Sequence, residues 1–129
     1  MSKEDVRRWA RFGLAAFFAI GGVAHFALLE FFVAIMPSYI PWHVPLVYIS
    51  GVFELLGAAG ILTTRWRRLS GVGLMALTVA VFPANLNMAL NPASFDAFPP
   101  WVLLARLPVQ LLILWWVWWT CVTTARCPD

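Results

Sequence analysis

The chain has 129 residues, a length that suits a single domain, and 62% of them are hydrophobic while only 12% are charged. Soluble domains contain about 45–50% apolar and roughly 25% charged residues, so this composition excludes a soluble enzyme and a disordered protein. The formal net charge of +3 is carried at the edges of the apolar segments and forms no basic stripe for nucleic acid.

Four apolar segments are each long enough to cross a bilayer, which needs about 20 mostly apolar residues. Turn signals place these segments at residues 12–36, 44–62, 69–89 and 101–123. The first segment is longer than the roughly 7–15 apolar residues of a cleaved signal peptide, and no small-residue cleavage site ends it. The predicted fold is all-α: a single domain, residues 1–129, that forms an integral membrane four-helix bundle in the lipid bilayer.

The basic residues predict the orientation of this bundle, because lysine and arginine favour the cytoplasmic side of a membrane. Eight of the nine lie in the N-terminal segment, the connection between the second and third spans, or the C-terminal tail: Lys3, Arg7, Arg8, Arg11, Arg65, Arg67, Arg68 and Arg126. The other two connections contain neither residue type. Both termini are therefore predicted to be cytoplasmic, with the protein in the cytoplasmic (inner) membrane.

Polar side chains inside the spans are few, and because they are costly in lipid they mark a buried pair or a functional site. The candidates are His25 in the first span, Glu54 in the second, Asn85 and Asn87 in the third, and Arg106 and Gln110 in the fourth. At about 1.5 Å of rise per residue, all of them except Asn87 are predicted to lie roughly 7–16 Å from the outer ends of their spans. This clustering predicts one shared site that opens outward.

Helical spacing turns several of these side chains toward the interior of the bundle. Arg106 and Gln110 are four residues apart and share one helix face. Small residues that let helices approach closely lie beside two of the candidates: Gly51, Gly57 and Ala58 near Glu54, and Gly21 and Gly22 near His25. Pro83 removes a backbone donor, so we expect a kink in the third span that frees carbonyl oxygens to line a cavity.

Two interpretations of the polar cluster follow from the residues. An Arg106–Glu54 ion pair would offset much of the cost of burying each charge alone, and the cluster would then only lock the bundle. Alternatively, the cluster binds a ligand or transfers protons, which is favoured because one ion pair needs two residues and not five. His25 taken alone is more typical of a satisfied core histidine. Glu30 lies near the outer boundary and is a weaker candidate. The sequence contains no metal-spaced cluster.

Several short motifs follow one another along residues 21–115. They are GVAHF at 22–26, MP at 36–37, IP at 40–41, SGVFELLG at 50–57, VFPANLNMA at 81–89 and RLPVQ at 106–110. In this order they resemble the DoxX-like family of small four-helix membrane proteins. The namesake of that family is the small subunit of an archaeal thiosulfate:quinone oxidoreductase, and distant relatives act as assembly factors for membrane proteins.

The resemblance implies a quinone-linked, redox-associated membrane subunit, with a quinone as the cofactor and a membrane redox complex as the partner. In that function Glu54 and His25 would be the catalytic residues that move protons. Hydrogen bonds to the quinone headgroup would come from Arg106, Gln110, Asn85 and Asn87.

Two other functions stay open. A non-enzymatic assembly factor or scaffold is favoured by the lack of an independent redox centre in the sequence. A small carrier of lipid-like or weakly acidic molecules would use Arg106 to hold the anionic group. The glycine stripes, together with the tryptophans of the fourth span, favour a homodimer; these are Trp115, Trp116, Trp118 and Trp119.

Overall fold

The computed structural model describes residues 1–95 and 98–123. Its α-helices are α1 (Lys3–Ala27), α2 (Leu29–Ile35), α3 (His43–Ile61), α4 (Arg67–Ala80), α5 (Phe82–Leu90) and α6 (Pro100–Val117). A short 3₁₀ helix, Pro92–Phe95, follows α5, and a π-helical turn, Trp118–Val122, continues α6. Residues 1–95 and 98–123 contain no β-strand, so the predicted all-α class is confirmed for this part of the chain.

Four helical stretches are long and apolar enough to cross a membrane. They are Lys3–Ala27, His43–Ile61, Arg67–Leu90 and Pro100–Val122. Each covers a large part of one predicted segment, and their length and composition are those of an integral membrane protein.

The first stretch differs most from the prediction, because α1 already begins at Lys3 and not at residue 12. Ser2 and Asp5 form a capping box: the Asp5 N–H donates to Ser2 Oγ at 3.1 Å, and the Ser2 N–H donates to Asp5 Oδ2 at 3.1 Å. The charged N-terminal segment is therefore helical. The helix is then interrupted at Leu28 (φ −118°, ψ 40°), so residues 29–35 form the separate helix α2.

The third stretch is interrupted at Val81, between α4 and α5. Pro83 lies in the first turn of α5, where a missing backbone N–H costs no helical hydrogen bond. In the interior of a continuous helix, a proline would remove one backbone hydrogen bond. The interruption expected from Pro83 therefore occurs, two residues before the proline itself.

The helices pack through their glycines, and α1 makes its most extensive contact with α3. A Cβ atom added at Gly51 would lie 2.9 Å from His25 Cβ, and one added at Gly22 would lie 3.0 Å from the Gly51 carbonyl oxygen. Gly57 packs in the same way against Leu74 of α4. These glycines pack against other helices of the same chain, so they do not support the predicted homodimer.

One end of the molecule gathers the start of α1, the α3–α4 connection and the end of the π-helical turn. Trp116 Nε1 donates to the Ala10 carbonyl oxygen at 3.1 Å, and Arg67 Nε donates to the Ile61 carbonyl oxygen at 3.1 Å. The basic residues on these elements are Lys3, Arg7, Arg8, Arg11, Arg65, Arg67 and Arg68. Arg126, which the orientation argument also used, lies outside the described residues.

Two apolar clusters form the core. The cluster near the basic end includes Leu14, Phe18, Ile61, Leu74 and Val117. The other cluster is built on Ile35, Met88 and Leu103. The described apolar core is thus divided into two clusters.

The α1–α3 contact is tested by replacing Gly51 with alanine. We expect the added Cβ to cost about 1–3 kcal/mol of stability through overpacking, against a gain in helix propensity of up to about 1 kcal/mol. Gly73→Ala is the matched control, because a Cβ at Gly73 meets no atom within 4 Å. The measurement is reversible unfolding in mixed micelles, and equal stability of the two variants would contradict the described packing.

Candidate functional site

A cavity of about 490 Å³ lies between the helices, and all six α-helices contribute to its wall. The wall is mostly apolar and includes Phe18 and Ile35, which belong to the two different core clusters. Its volume is within the range of about 300–1,000 Å³ that is typical of small-molecule sites. Five of the six predicted site residues line it: His25, Glu54, Asn85, Arg106 and Gln110.

His25 and Glu54 face each other across the α1–α3 contact. His25 Nδ1 lies 2.9 Å from Glu54 Oε2 and 2.7 Å from the Gly21 carbonyl oxygen. Both neighbours accept hydrogen bonds, so Nδ1 carries a proton, and it donates this proton to the Gly21 carbonyl. The imidazole ring stacks on Phe32, with ring centroids 4.1 Å apart. His25 is therefore held in one orientation by contacts within the chain.

Among the described residues the Glu54 carboxylate contacts His25 and makes no ion pair with Arg106, so the predicted Arg106–Glu54 ion pair is wrong. The glycines at the α1–α3 contact bring His25 to the carboxylate, while Arg106 approaches the cavity from α6. Arg106 is half-buried in the cavity wall. It makes no ion pair and no hydrogen bond with any residue in 1–95 or 98–123. The guanidinium donors thus stay available to a ligand.

Asn85 and Gln110 form a chain of amide hydrogen bonds across the cavity wall. Asn85 Nδ2 donates to Gln110 Oε1 at 2.7 Å, and Gln110 Nε2 donates to the Thr78 carbonyl oxygen in the last turn of α4. Carbonyl groups at the end of a helix lack partners within it, so Gln110 supplies one. Gln110 is only 5% exposed. It therefore orients Asn85 and ties α6 to the interruption between α4 and α5.

Asn87 lies outside the cavity wall, although its sequence pattern predicted a ligand-binding role beside Asn85. Residues two positions apart on an α-helix, such as Asn85 and Asn87, are rotated by about 200° around the helix axis, so the two asparagines point to different faces. Asn87 Nδ2 donates instead to the Ile35 carbonyl oxygen at 2.9 Å and joins α5 to the end of α2. Glu30, the weaker candidate, is exposed and is not part of the wall.

Sequence reasoning missed a buried charge at the basic end. Arg11 was counted with the cytoplasmic residues, yet it is only 7% exposed and donates from Nη1 to the Thr120 carbonyl oxygen at 3.1 Å. The signal is present in the sequence, since Arg11, Leu14, Ala15 and Phe18 follow the spacing of a buried helix face. Arg11 stabilises the π-helical turn and does not reach the cavity wall.

Four apolar helices and a polar group of side chains in a cavity between them define a helical membrane protein with a candidate ligand site. Residues 14–121 match the protein family described as a domain of unknown function (DUF8561), so the chain belongs to that family. The matched region contains every residue of the cavity wall. No curated protein and no solved structure matches the chain.

The amide chain is tested by a double-mutant cycle with Asn85→Ala and Gln110→Ala. Coupling energies of hydrogen bonds in membrane proteins average about 0.6 kcal/mol and reach about 1.7 kcal/mol. We expect a coupling of about 0.5–1.5 kcal/mol in reversible unfolding, because each variant removes the same direct bond. Purely additive losses would contradict the contact between the two side chains.

Proposed function

We propose that the chain is a quinone-linked, redox-associated membrane subunit that binds a quinone headgroup in the cavity. The observation that supports this proposal is that five of the six predicted site residues lie on the wall of one mostly apolar cavity. Arg106 contacts no counter-charge within residues 1–95 and 98–123, so it is not held by an ion pair that locks the bundle.

The side chains on the wall suit the chemistry of such a headgroup. Arg106 has several N–H donors and would bind a carbonyl oxygen, which accepts hydrogen bonds. Asn85 would add a second polar contact, and the apolar wall would hold the ring and the start of an isoprenoid tail. When bound, a quinone supplies two-electron redox chemistry, and the electrons would come from a partner in a membrane redox complex. Glu54 and His25 would exchange the accompanying protons.

The proposal includes a four-helix bundle with both termini in the cytoplasm, in the inner membrane. It is supported by seven of the eight described basic residues, all except Arg106, which lie at or next to the elements gathered at one end. The cavity wall also includes Met36, Pro37 and Ile40 of the α2–α3 connection, which is at the opposite end. In this orientation the cavity is reached from the outer half of the bilayer.

The orientation is tested with single cysteines in a background without native cysteines. Ser38 and Thr64 are both exposed, in connections at opposite ends of the molecule. We expect Ser38→Cys to react with an impermeant thiol reagent in intact cells, while Thr64→Cys reacts only after the membrane is opened. The reverse pattern would overturn the orientation.

A second candidate function is a carrier of lipid-like or weakly acidic molecules. It is favoured by the charge of Arg106, since a guanidinium without a carboxylate partner suits an anionic headgroup. The carrier and the quinone-linked subunit differ in the chemistry of the molecule that the cavity retains.

Mass spectrometry of small molecules that co-purify in mild detergent distinguishes these functions. We expect a quinone with the wild-type protein and at least a tenfold loss of it in Arg106→Ala. Arg68→Ala is the control, because Arg68 is an exposed arginine at the basic end. A lipophilic acid that is lost in Arg106→Ala would support the carrier instead. The same profile in all three proteins, without a retained molecule, would contradict both functions.

A further inference from the structure

The cavity wall includes a hydrogen-bond acceptor, Glu54, and a hydrogen-bond donor, Arg106, that do not bond to each other. Glu54 of α3 accepts no hydrogen bond of good geometry from the described residues, although His25 Nδ1 is 2.9 Å from Oε2. Arg106 of α6 donates no hydrogen bond to the described residues. The α3 side of the cavity therefore offers a hydrogen-bond acceptor, and the α6 side offers hydrogen-bond donors.

The two oxygens of Glu54 have different surroundings. Oε2 is inaccessible and lies against His25. Oε1 lies beside Gly21, where an added Cβ would be only 3.2 Å away, and Gly21 itself lines the cavity. Gly21 thus leaves room for Oε1 at the wall, so Oε1 is the oxygen that a bound molecule would contact.

A polar group that leaves water is stable only when a hydrogen-bond partner replaces the water. A headgroup that satisfies this cavity must therefore direct a donor toward Glu54 and an acceptor toward Arg106. The carbonyl oxygens of an oxidised quinone only accept, so one of them would face the carboxylate without a proton between them. A hydroxyl oxygen both donates and accepts.

We propose that the cavity selects a phenolic headgroup with a hydroxyl donor to Glu54 and an acceptor for Arg106, and that it binds the hydroquinone in preference to the quinone. This inference rests on the proposed function and names the redox state that the site retains. In this arrangement His25 is a positioning residue, because its contact with Oε2 directs Oε1 to the cavity. The preference for the reduced state comes from Glu54, not from the apolar wall, which contacts both states alike.

The test uses two pairs of probes that differ in the donor. Heptyl 4-hydroxybenzoate and heptyl 4-methoxybenzoate carry the same ester acceptor, and only the first has a hydroxyl donor. A short-chain hydroquinone and its quinone form the second pair, measured without oxygen. Affinities are determined by calorimetry on the purified full chain in nanodiscs.

We expect the hydroxyl compound of each pair to bind the wild-type protein at least tenfold more tightly than its partner. In Glu54→Gln, which keeps the shape of the side chain, the ratio should fall below threefold. Glu30→Gln is the matched control, because Glu30 is exposed and lies outside the cavity wall, and it should keep the wild-type ratio.

Binding of the quinone as tightly as the hydroquinone by the wild-type protein would overturn the inference and leave the proposed function intact. A tenfold ratio that persists in Glu54→Gln would also overturn it, since the donor would then contact another group. Failure of all four probes to bind would overturn the inference and the proposed function together.

Discussion

The close contact between α1 and α3 is the constraint on which the polar site depends. Gly22 and Gly51 let the two backbones approach so closely that a Cβ at either position would meet the opposite helix. This approach puts His25 Nδ1 2.9 Å from the Glu54 carboxylate. The close approach of the two backbones therefore decides which side chain the Glu54 carboxylate contacts.

The pairing of Glu54 with His25 has a consequence on the other side of the cavity. It leaves Arg106 without a counter-charge among the described residues, although a charge within a membrane span is costly. Charged residues inside membrane spans are typically found where a protein binds a substrate or an ion. The position of Arg106 on the cavity wall without a counter-charge among the described residues is the physical basis of the proposed function.

The two ends of the molecule are held together by different interactions. At the basic end, Arg11 and Arg67 donate to backbone carbonyl oxygens near helix ends, where positive charge is also favoured by the helix dipole. At the other end, Asn87 joins α5 to α2, and Phe31 packs edge-on against Phe98. The cavity lies between these two sets of contacts, next to the interruption at Val81, where Gln110 supplies the hydrogen bond that a continuous helix would have provided.

The sequence by itself determined the all-α class, the four long apolar helices and the interruption near Pro83, because composition, span length and proline act locally along the chain. It also singled out five of the polar residues of the cavity wall, because ionisable and amide side chains are rare inside apolar segments. Only the tertiary structure decided which of them pair. Helical periodicity fixes the face of a residue on its own helix but not the distance between helices, which depends on side-chain volume at contacts such as Gly51. For that reason Glu54 meets His25 and not Arg106, and Arg11 is buried at an end where charge alone predicted exposure.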